Sequence, residues 1–245
     1  MVSQNQLFRT GPLASVLAKI GVAITGGGLI LFVLAHMFGN LQVFLGPDTF
    51  NLYAYKMQHM VLLWPARIGL LAIFVAHMGL VFLLTRQNSV ARPVGYASYE
   101  PIQSTVASRY MLQTGVVILL FVVYHLLHFT LHRVHYPDST VGFAAQIEYQ
   151  TPPYVGQQMH NAYDMVVYSF QQPVVALVYV LAQLFLAAHL WHGGQSLFQT
   201  IGMKNENRRA LLTRVGPLLA MVVLIGNCSI PIAVLLNILQ ASSTA

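Results

Sequence analysis

The sequence is poor in charged residues and in cysteine. Only 7% of its 245 residues are Asp, Glu, Lys or Arg, whereas an ordinary globular domain carries about 25%. The single cysteine, Cys228, excludes an internal disulfide and any cysteine-based zinc or iron–sulfur site built from this chain alone. With 56% hydrophobic residues, this composition indicates an integral membrane protein. All six acids fall in polar connections, so the apolar segments carry no carboxylate: Asp48, Glu100, Asp138, Glu148, Asp164 and Glu206.

Five apolar segments are each long enough to cross the hydrocarbon core of a bilayer, which takes about 20 residues of α-helix. The first is too long for a signal-peptide core and has no small-residue cleavage site, so we expect it to be retained. The sequence therefore predicts an all-α fold, with residues 1–245 forming one transmembrane domain built as a bundle of five helices. The segments run roughly from Ile20 to Leu45, Val61 to Leu84, Met111 to Leu131, Pro173 to Phe198 and Val215 to Leu239.

Lysine and arginine are distributed unequally between the two sides of this bundle. Because these residues favour the cytoplasmic side, we expect a cytoplasmic amino terminus. They lie scattered at the ends of apolar segments and not on one soluble face, so no nucleic-acid partner is expected. The connection from His132 to Gln172 should cap the outer side, with a short surface helix around Val155 to Tyr168. The predicted inner side holds Arg9, Lys19, Arg86, Arg92, Arg109, Lys204, Arg208, Arg209 and Arg214, and the outer side holds Lys56, Arg67 and Arg133.

Six of the ten histidines lie within the apolar segments, and four of these six, one from each of the first four segments, fall at paired depths. Since a helix rises about 1.5 Å per residue, His36 and His125 each lie roughly 25 Å from the basic side. His77 lies about 13 Å from that side, and His189 lies in the inner half, about 24 Å below the outer face. We call His36 and His125 the outer pair, and His77 and His189 the inner pair. Ionisable residues inside membrane segments are uncommon and by default indicate function.

Two imidazoles from different helices suit the two axial positions of a haem iron, so two such pairs predict two haems b. A zinc site is disfavoured, because it needs three or four ligands at one point. Spacing does not settle every ligand. His128 and His132 lie on the same helix face as His125, and His192 competes with His189.

Four motifs together resemble a known family. They are "LILFVLAHMFGN", "IFVAHMGLVFLLTRQ", "TGVVILLFVVYHLL" and "HLWHGGQSLFQTIGM", in the first four segments. In this order they resemble the five-helix, dihaem cytochrome b subunit of succinate:quinone oxidoreductases, the membrane anchor of succinate dehydrogenases and quinol:fumarate reductases. The resemblance implies that the outer pair ligates the distal haem iron and the inner pair the proximal haem iron. By the same resemblance, Thr114 and Gly115 select His125, and Gly193 and Gly202 select His189.

The resemblance also implies partners and a task. A flavoprotein subunit would interconvert succinate and fumarate, and an iron–sulfur subunit would dock on the basic cytoplasmic face. Electrons would pass through the proximal and distal haems to a membrane quinone, commonly menaquinone in dihaem members, or in reverse. The chain would thus be the non-flavin membrane subunit of an enzyme of the tricarboxylic acid cycle and of respiratory electron transport, in a bacterial inner (plasma) membrane. Such a complex can also form a higher oligomer.

The quinone site is where the chain departs from its relatives. Some of them use a Glu near the distal haem, but residues 46–64 contain no Glu. The position of the relatives' quinone site is therefore not assigned to this chain. Polar and aromatic residues at the two interfaces are the candidates, although such residues also serve as interfacial anchors. They are Lys56, His59, Trp64 and Arg67 on the outer side, and Arg86, Tyr96 and Tyr99 on the inner side.

The residues leave two other functions open. One is the dihaem cytochrome b subunit of another quinol-oxidising complex, such as membrane nitrate reductase, whose ligands come repeatedly from fewer helices. The other is a proton-coupled transporter whose histidines relay protons. A transporter predicts acids or broken helices near mid-membrane, and only "GNCSIP", from Gly226 to Pro231, looks interrupted.

Overall fold

The computed structural model describes residues 12–91, 94, 104–135, 146–149, 153–203 and 205–242. Five of its helices are long and apolar enough to cross a membrane, so the chain is a multi-pass membrane protein. The predicted five-helix architecture is thereby confirmed. These helices are α1 (Pro12–Asn40), α3 (Leu63–Ala91), α5 (Met111–Phe129), α7 (Pro173–Thr200) and α8 (Glu206–Leu235).

Shorter elements connect the long helices. A 3-10 turn (Leu41–Leu45) leads into α2 (Pro47–Gln58), and α4 (Val106–Arg109) precedes α5. After α5, strands β1 (Gln146–Glu148) and β2 (Gln158–His160) pair antiparallel, and α6 (Ala162–Phe170) follows. Helix α2 packs against both β2 and α6. We call the side of the bundle that carries α2, the hairpin and α6 the cap face, and the opposite side, with Arg86, Arg109 and Arg208, the basic face.

The cap face differs in detail from the sequence prediction. The surface helix expected from Val155 begins only at Ala162, because residues 158–160 form a strand and Asn161 caps the helix. The Asn161 side-chain oxygen accepts a hydrogen bond from the Asp164 backbone N–H at 3.1 Å. Helix α2 was not predicted. It begins at Pro47, a residue suited to the first helical position, after Gly46 turns the chain with φ +95°.

Helix α8 is longer and more regular than the sequence suggested. It begins at Glu206, nine residues before the predicted start, because the Asn205 side chain caps it by accepting from the Arg208 backbone N–H at 3.0 Å. It continues through the segment from Gly226 to Pro231 without a break. The apparent interruption is therefore a proline inside a continuous helix.

The long helices pack in an order that brings their histidines together. Helix α8 packs along α7, α1 packs against both, α3 packs on α1, and α5 packs on α7. By contrast, α3 has little backbone contact with α5 or α7, and α1 has little with α5. All of α3 is described, and none of its residues is buried. Backbone packing is therefore sparse between the two helices of each histidine pair, α1 with α5 and α3 with α7.

A buried polar network fastens the cap face. The Asn51 side chain donates to the Asn161 side-chain oxygen at 3.2 Å and accepts from the Tyr163 backbone N–H at 2.8 Å. The Asp164 carboxylate accepts from the Ser242 backbone N–H at 2.7 Å and from its hydroxyl at 2.6 Å. These bonds tie α2, α6 and the segment after α8 into one unit.

Candidate functional site

The outer pair consists of two facing rings. His36 of α1 and His125 of α5 have ring centroids 5.8 Å apart, with their planes at 86°. Phe32, one turn before His36, stacks on its ring at 5.4 Å. Imidazole nitrogens bind metals such as zinc at about 2 Å, so two imidazoles on opposite sides of one metal have centroids roughly 6 Å apart. The outer pair therefore has the separation that two axial ligands of one iron need.

Tyr179 of α7 links the outer pair to a neighbouring histidine. Its hydroxyl lies 3.4 Å from His125 Nδ1 and 2.9 Å from His128 Nδ1. His128 is fully buried, and its ring stacks on Phe129 at 4.1 Å. The structure thus sets the His125 ring against His36, and the His128 ring against Tyr179 and Phe129.

The inner pair is held by two threonines. His77 Nδ1 on α3 lies 3.0 Å from Thr25 Oγ1 on α1. His189 Nδ1 on α7 lies 3.1 Å from Thr114 Oγ1 on α5. Each threonine thus occupies one ring nitrogen and leaves Nε2 of that ring for a ligand.

The two pairs are separated by the same rise on two helices. Thr25 and Thr114, which mark the level of the inner pair, each lie eleven residues before an outer-pair histidine. Eleven residues of α-helix span about 16 Å. The structure brings His36 and His125 together and places His77 and His189 each against a threonine of the inner level, and iron ligation by both pairs stays a prediction.

The other candidate histidines lie at the cap face or beside the pairs. His132 is exposed, has a left-handed backbone with φ +53°, and has its ring centroid 5.9 Å from that of His160. Burial, together with the charge of His132, lowers the pKa of His160. The His160 Nε2 lies 3.4 Å from Met165 Sδ.

The candidates for a quinone site are mostly paired with aromatic rings at the interfaces. Lys56 Nζ lies 5.6 Å from the Tyr154 ring centre. On α3, the Arg67 guanidinium lies 5.3 Å from the Trp64 ring centre. Such stacked, exposed cations are also typical of interfacial anchors. Of the rest, His59 Nδ1 lies 2.8 Å from the Tyr55 carbonyl, Arg86 lies 6.0 Å from the Phe82 ring centre, and Tyr96 and Tyr99 fall outside the described residues.

Sequence reasoning missed the side chains that hold the histidines. Thr25 and Gly26 precede His36 in the same register as Thr114 and Gly115 precede His125, with the glycine ten residues before the histidine. This repeat was the available signal. The sequence around Tyr179 and Tyr124 shows no repeat comparable to the Thr-Gly spacing. The Tyr124 hydroxyl is buried, and no hydrogen-bond partner for it exists among the described residues.

Within the described part of the chain, no three side chains of His, Cys, Asp or Glu converge to hold a metal ion. A haem needs only two axial ligands from the protein, which each histidine pair supplies. The chain matches no protein-family model, no curated protein and no solved structure. Function is therefore inferred from the chain's own residues.

Proposed function

We propose that this protein is the dihaem cytochrome b subunit that anchors a succinate:quinone oxidoreductase in a bacterial plasma membrane. The observation that supports it most is the arrangement of the outer and inner pairs, each made of histidines from two helices, at levels about 16 Å apart. Each of four membrane helices would thus supply one histidine ligand, and each haem iron would receive two.

The residues present fit two haems. His77, His125 and His189 are partly buried, whereas His36 is exposed. The three partly buried histidines have Nδ1 beside a hydroxyl, which is the usual support of a metal-bound imidazole. Little helix packing fills the space between α3 and the α5 and α7 helices. A bound haem supplies reversible one-electron transfer between ferric and ferrous iron.

The chain's own part is to hold, separate and shield these groups. Helices α1 and α5 each carry one outer-pair histidine and one threonine of the inner level, so two helices set the spacing of both levels. The apolar helices exclude water from the interior, which favours electron transfer over side reactions. The only acid in the five long helices is Glu206, the first residue of α8 on the basic face, so the apolar middle of the bundle contributes no carboxylate that would trap a proton.

The basic face suits the soluble partners. It carries exposed arginines from several helices, and an iron–sulfur subunit with an acidic docking surface would be steered to it. In the proposed complex this subunit delivers electrons from a succinate-oxidising flavoprotein, or takes them in reverse, and a membrane quinone such as menaquinone is the other redox partner. The amino terminus then lies in the cytoplasm, as the distribution of Lys and Arg predicts. The exposed basic residues of this side among the described residues are Lys19, Arg86, Arg109, Arg208, Arg209 and Arg214.

The transporter alternative has less support. It calls for acids or a broken helix at mid-membrane, and α8 is continuous through Gly226 to Pro231. The nitrate reductase alternative calls for repeated ligands from few helices, whereas the pairs here come from α1, α3, α5 and α7.

An absorption spectrum of the purified protein tests the proposal. We expect reduced b-type bands and two haems per chain, together with co-purification of a flavoprotein and an iron–sulfur protein from the native membrane. A folded but colourless preparation would rule out the cytochrome. Two haems with a different set of partners would rule out the assignment to succinate:quinone oxidoreductase.

A further inference from the structure

The direction of the hydrogen bond between Thr25 and His77 follows from a count of protons. A threonine hydroxyl has one proton to donate, and a carbonyl oxygen can only accept. Thr25 Oγ1 lies 2.7 Å from the Gly21 carbonyl oxygen, so its proton is used there. At 3.0 Å from His77 Nδ1, the same oxygen is then left to accept, which assigns the Nδ1 proton to His77.

The same count applies to the other member of the inner pair. Thr114 Oγ1 donates to the Met111 carbonyl oxygen at 3.0 Å, so it accepts from His189 Nδ1 at 3.1 Å. Both inner rings are thus in the tautomer with Nδ1 protonated, and each has its bare lone pair on Nε2.

We infer that Thr25 and Thr114 are positioning residues for the inner haem: they fix the tautomer and rotation of His77 and His189 so that Nε2 faces the iron. This inference rests on the proposed function, which assigns a haem to the inner pair. A neutral imidazole that donates from Nδ1 is a more basic ligand at Nε2 than one without an acceptor. The threonines therefore favour ferric iron and hold down the midpoint potential of the inner haem.

Gly26, the residue after Thr25, leaves space for the His77 ring. A Cβ placed on Gly26 would lie 3.2 Å from His77 Cε1, the carbon between the two ring nitrogens. A side chain there would press on the ring edge and turn Nε2 away. The repeat of Thr and Gly on α5, at Thr114 and Gly115, places the same two residue types against His189.

The outer pair is supported differently. His125 has the Tyr179 hydroxyl at 3.4 Å, and that hydroxyl is closer to His128, at 2.9 Å. His36 packs on Phe32. Loss of a threonine hydroxyl should therefore act on the inner haem and leave the outer one unchanged.

The experiment replaces each threonine by valine, which keeps the shape and removes the hydroxyl, and by serine, which restores it. Thr85→Val is the matched control, because Thr85 Oγ1 also donates to a helix carbonyl, that of Val81, at 2.8 Å. The midpoint potentials of both haems are measured by redox titration of the purified complex. The inner haem is identified as the one missing in His77→Ala. Haem retention during dilution is measured in parallel.

We expect Thr25→Val and Thr114→Val to raise the midpoint potential of the inner haem and to weaken its retention about 10-fold to 100-fold, the usual effect of losing such a partner. The serine variants should restore both values, and Thr85→Val should change neither. Two haems whose potentials and retention do not respond to either valine substitution would overturn the inference while leaving the proposed function intact. An equal response to Thr85→Val would also overturn it. A wild-type protein without haem would instead refute the proposed function.

Discussion

The carbonyl oxygen of Trp191 on α7 lies directly against Gly216 on α8. A Cβ built on Gly216 would overlap that oxygen, and one on Gly194 would lie 3.0 Å from the Gly216 Cα. In membranes, small residues let helix backbones approach closely, and van der Waals packing at such points drives association. The crossing lies two residues from His189, so it also sets the position of one inner-pair histidine.

Gly216→Val should therefore force α7 and α8 apart and lower the stability of the bundle. We expect a decrease in unfolding free energy on the order of 1–3 kcal/mol, the usual cost of overpacking. The measurement is unfolding of the detergent-solubilised protein, followed by circular dichroism. Gly69→Ala is the control, since a Cβ there meets nothing within 4 Å. Equal stability of the two variants would contradict the close crossing.

Single histidine substitutions should remove one haem at a time. We expect His36→Ala or His125→Ala to lose the outer haem and keep the inner one, because each pair lies at its own level. His77→Ala or His189→Ala should do the converse. Haem content per chain, measured from the absorption spectrum, checks both. Loss of both haems in a folded single variant, or of neither, would contradict the pairing, and exposed His59→Ala should retain both.

Asp164→Asn should loosen the cap face. The Asp164 carboxylate is 2% exposed and accepts three hydrogen bonds, from Asn161 and from two groups of Ser242. An amide there would turn one acceptor into a donor that faces other donors, at a cost of about 1–3 kcal/mol. The result should be lower stability and faster proteolysis after α8. The control is exposed Asp48→Asn, which loses only a helix-dipole interaction of less than about 1 kcal/mol. An equally small effect at Asp164 would show that the carboxylate is dispensable.

Stability should fall at acidic pH through His160. Its pKa is lowered from 6.5 by burial and by His132, so the folded protein binds this proton less readily than the unfolded chain. The resulting destabilisation is absent above pH 6.5 and grows as the pH falls below it. His160→Gln should flatten the pH dependence of the unfolding temperature below pH 6.5. Comparing the variant with the wild type at pH 8 measures any effect of the substitution that does not depend on this titration. An unchanged slope would mean that His160 does not contribute.

The sequence was sufficient to predict the transmembrane helices, because the thickness of the bilayer sets the length of each one. A segment that crosses hydrocarbon must be helical over about 20 residues, so apolar length alone locates α3, α5 and α7. It was not sufficient for the cap face. Helix α2 and the β-hairpin depend on contacts between distant residues, such as Asn51 with Asn161, that no local pattern reveals.

The depth of each histidine in the membrane could be predicted from the sequence, but the contacts of its ring could not. Position along a helix converts directly into depth, which is why the outer and inner pairs could be grouped from spacing alone. Which neighbour each ring contacts depends on how the helices are rotated and packed. The contacts of His77 with Thr25 and of His125 with Tyr179 therefore needed three-dimensional coordinates.

The equal spacing on α1 and α5 has a consequence for the length of the electron hop between the two proposed haems. His77 and His189 hydrogen-bond to threonines on the same two helices that carry the outer pair, so the helical rise between each threonine and its outer-pair histidine sets that length. Inserting one residue between Thr25 and His36 would turn the outer ligand about 100° around its helix. Insertions within these eleven residues should therefore disconnect the electron path, whereas insertions in the loops should leave its length unchanged.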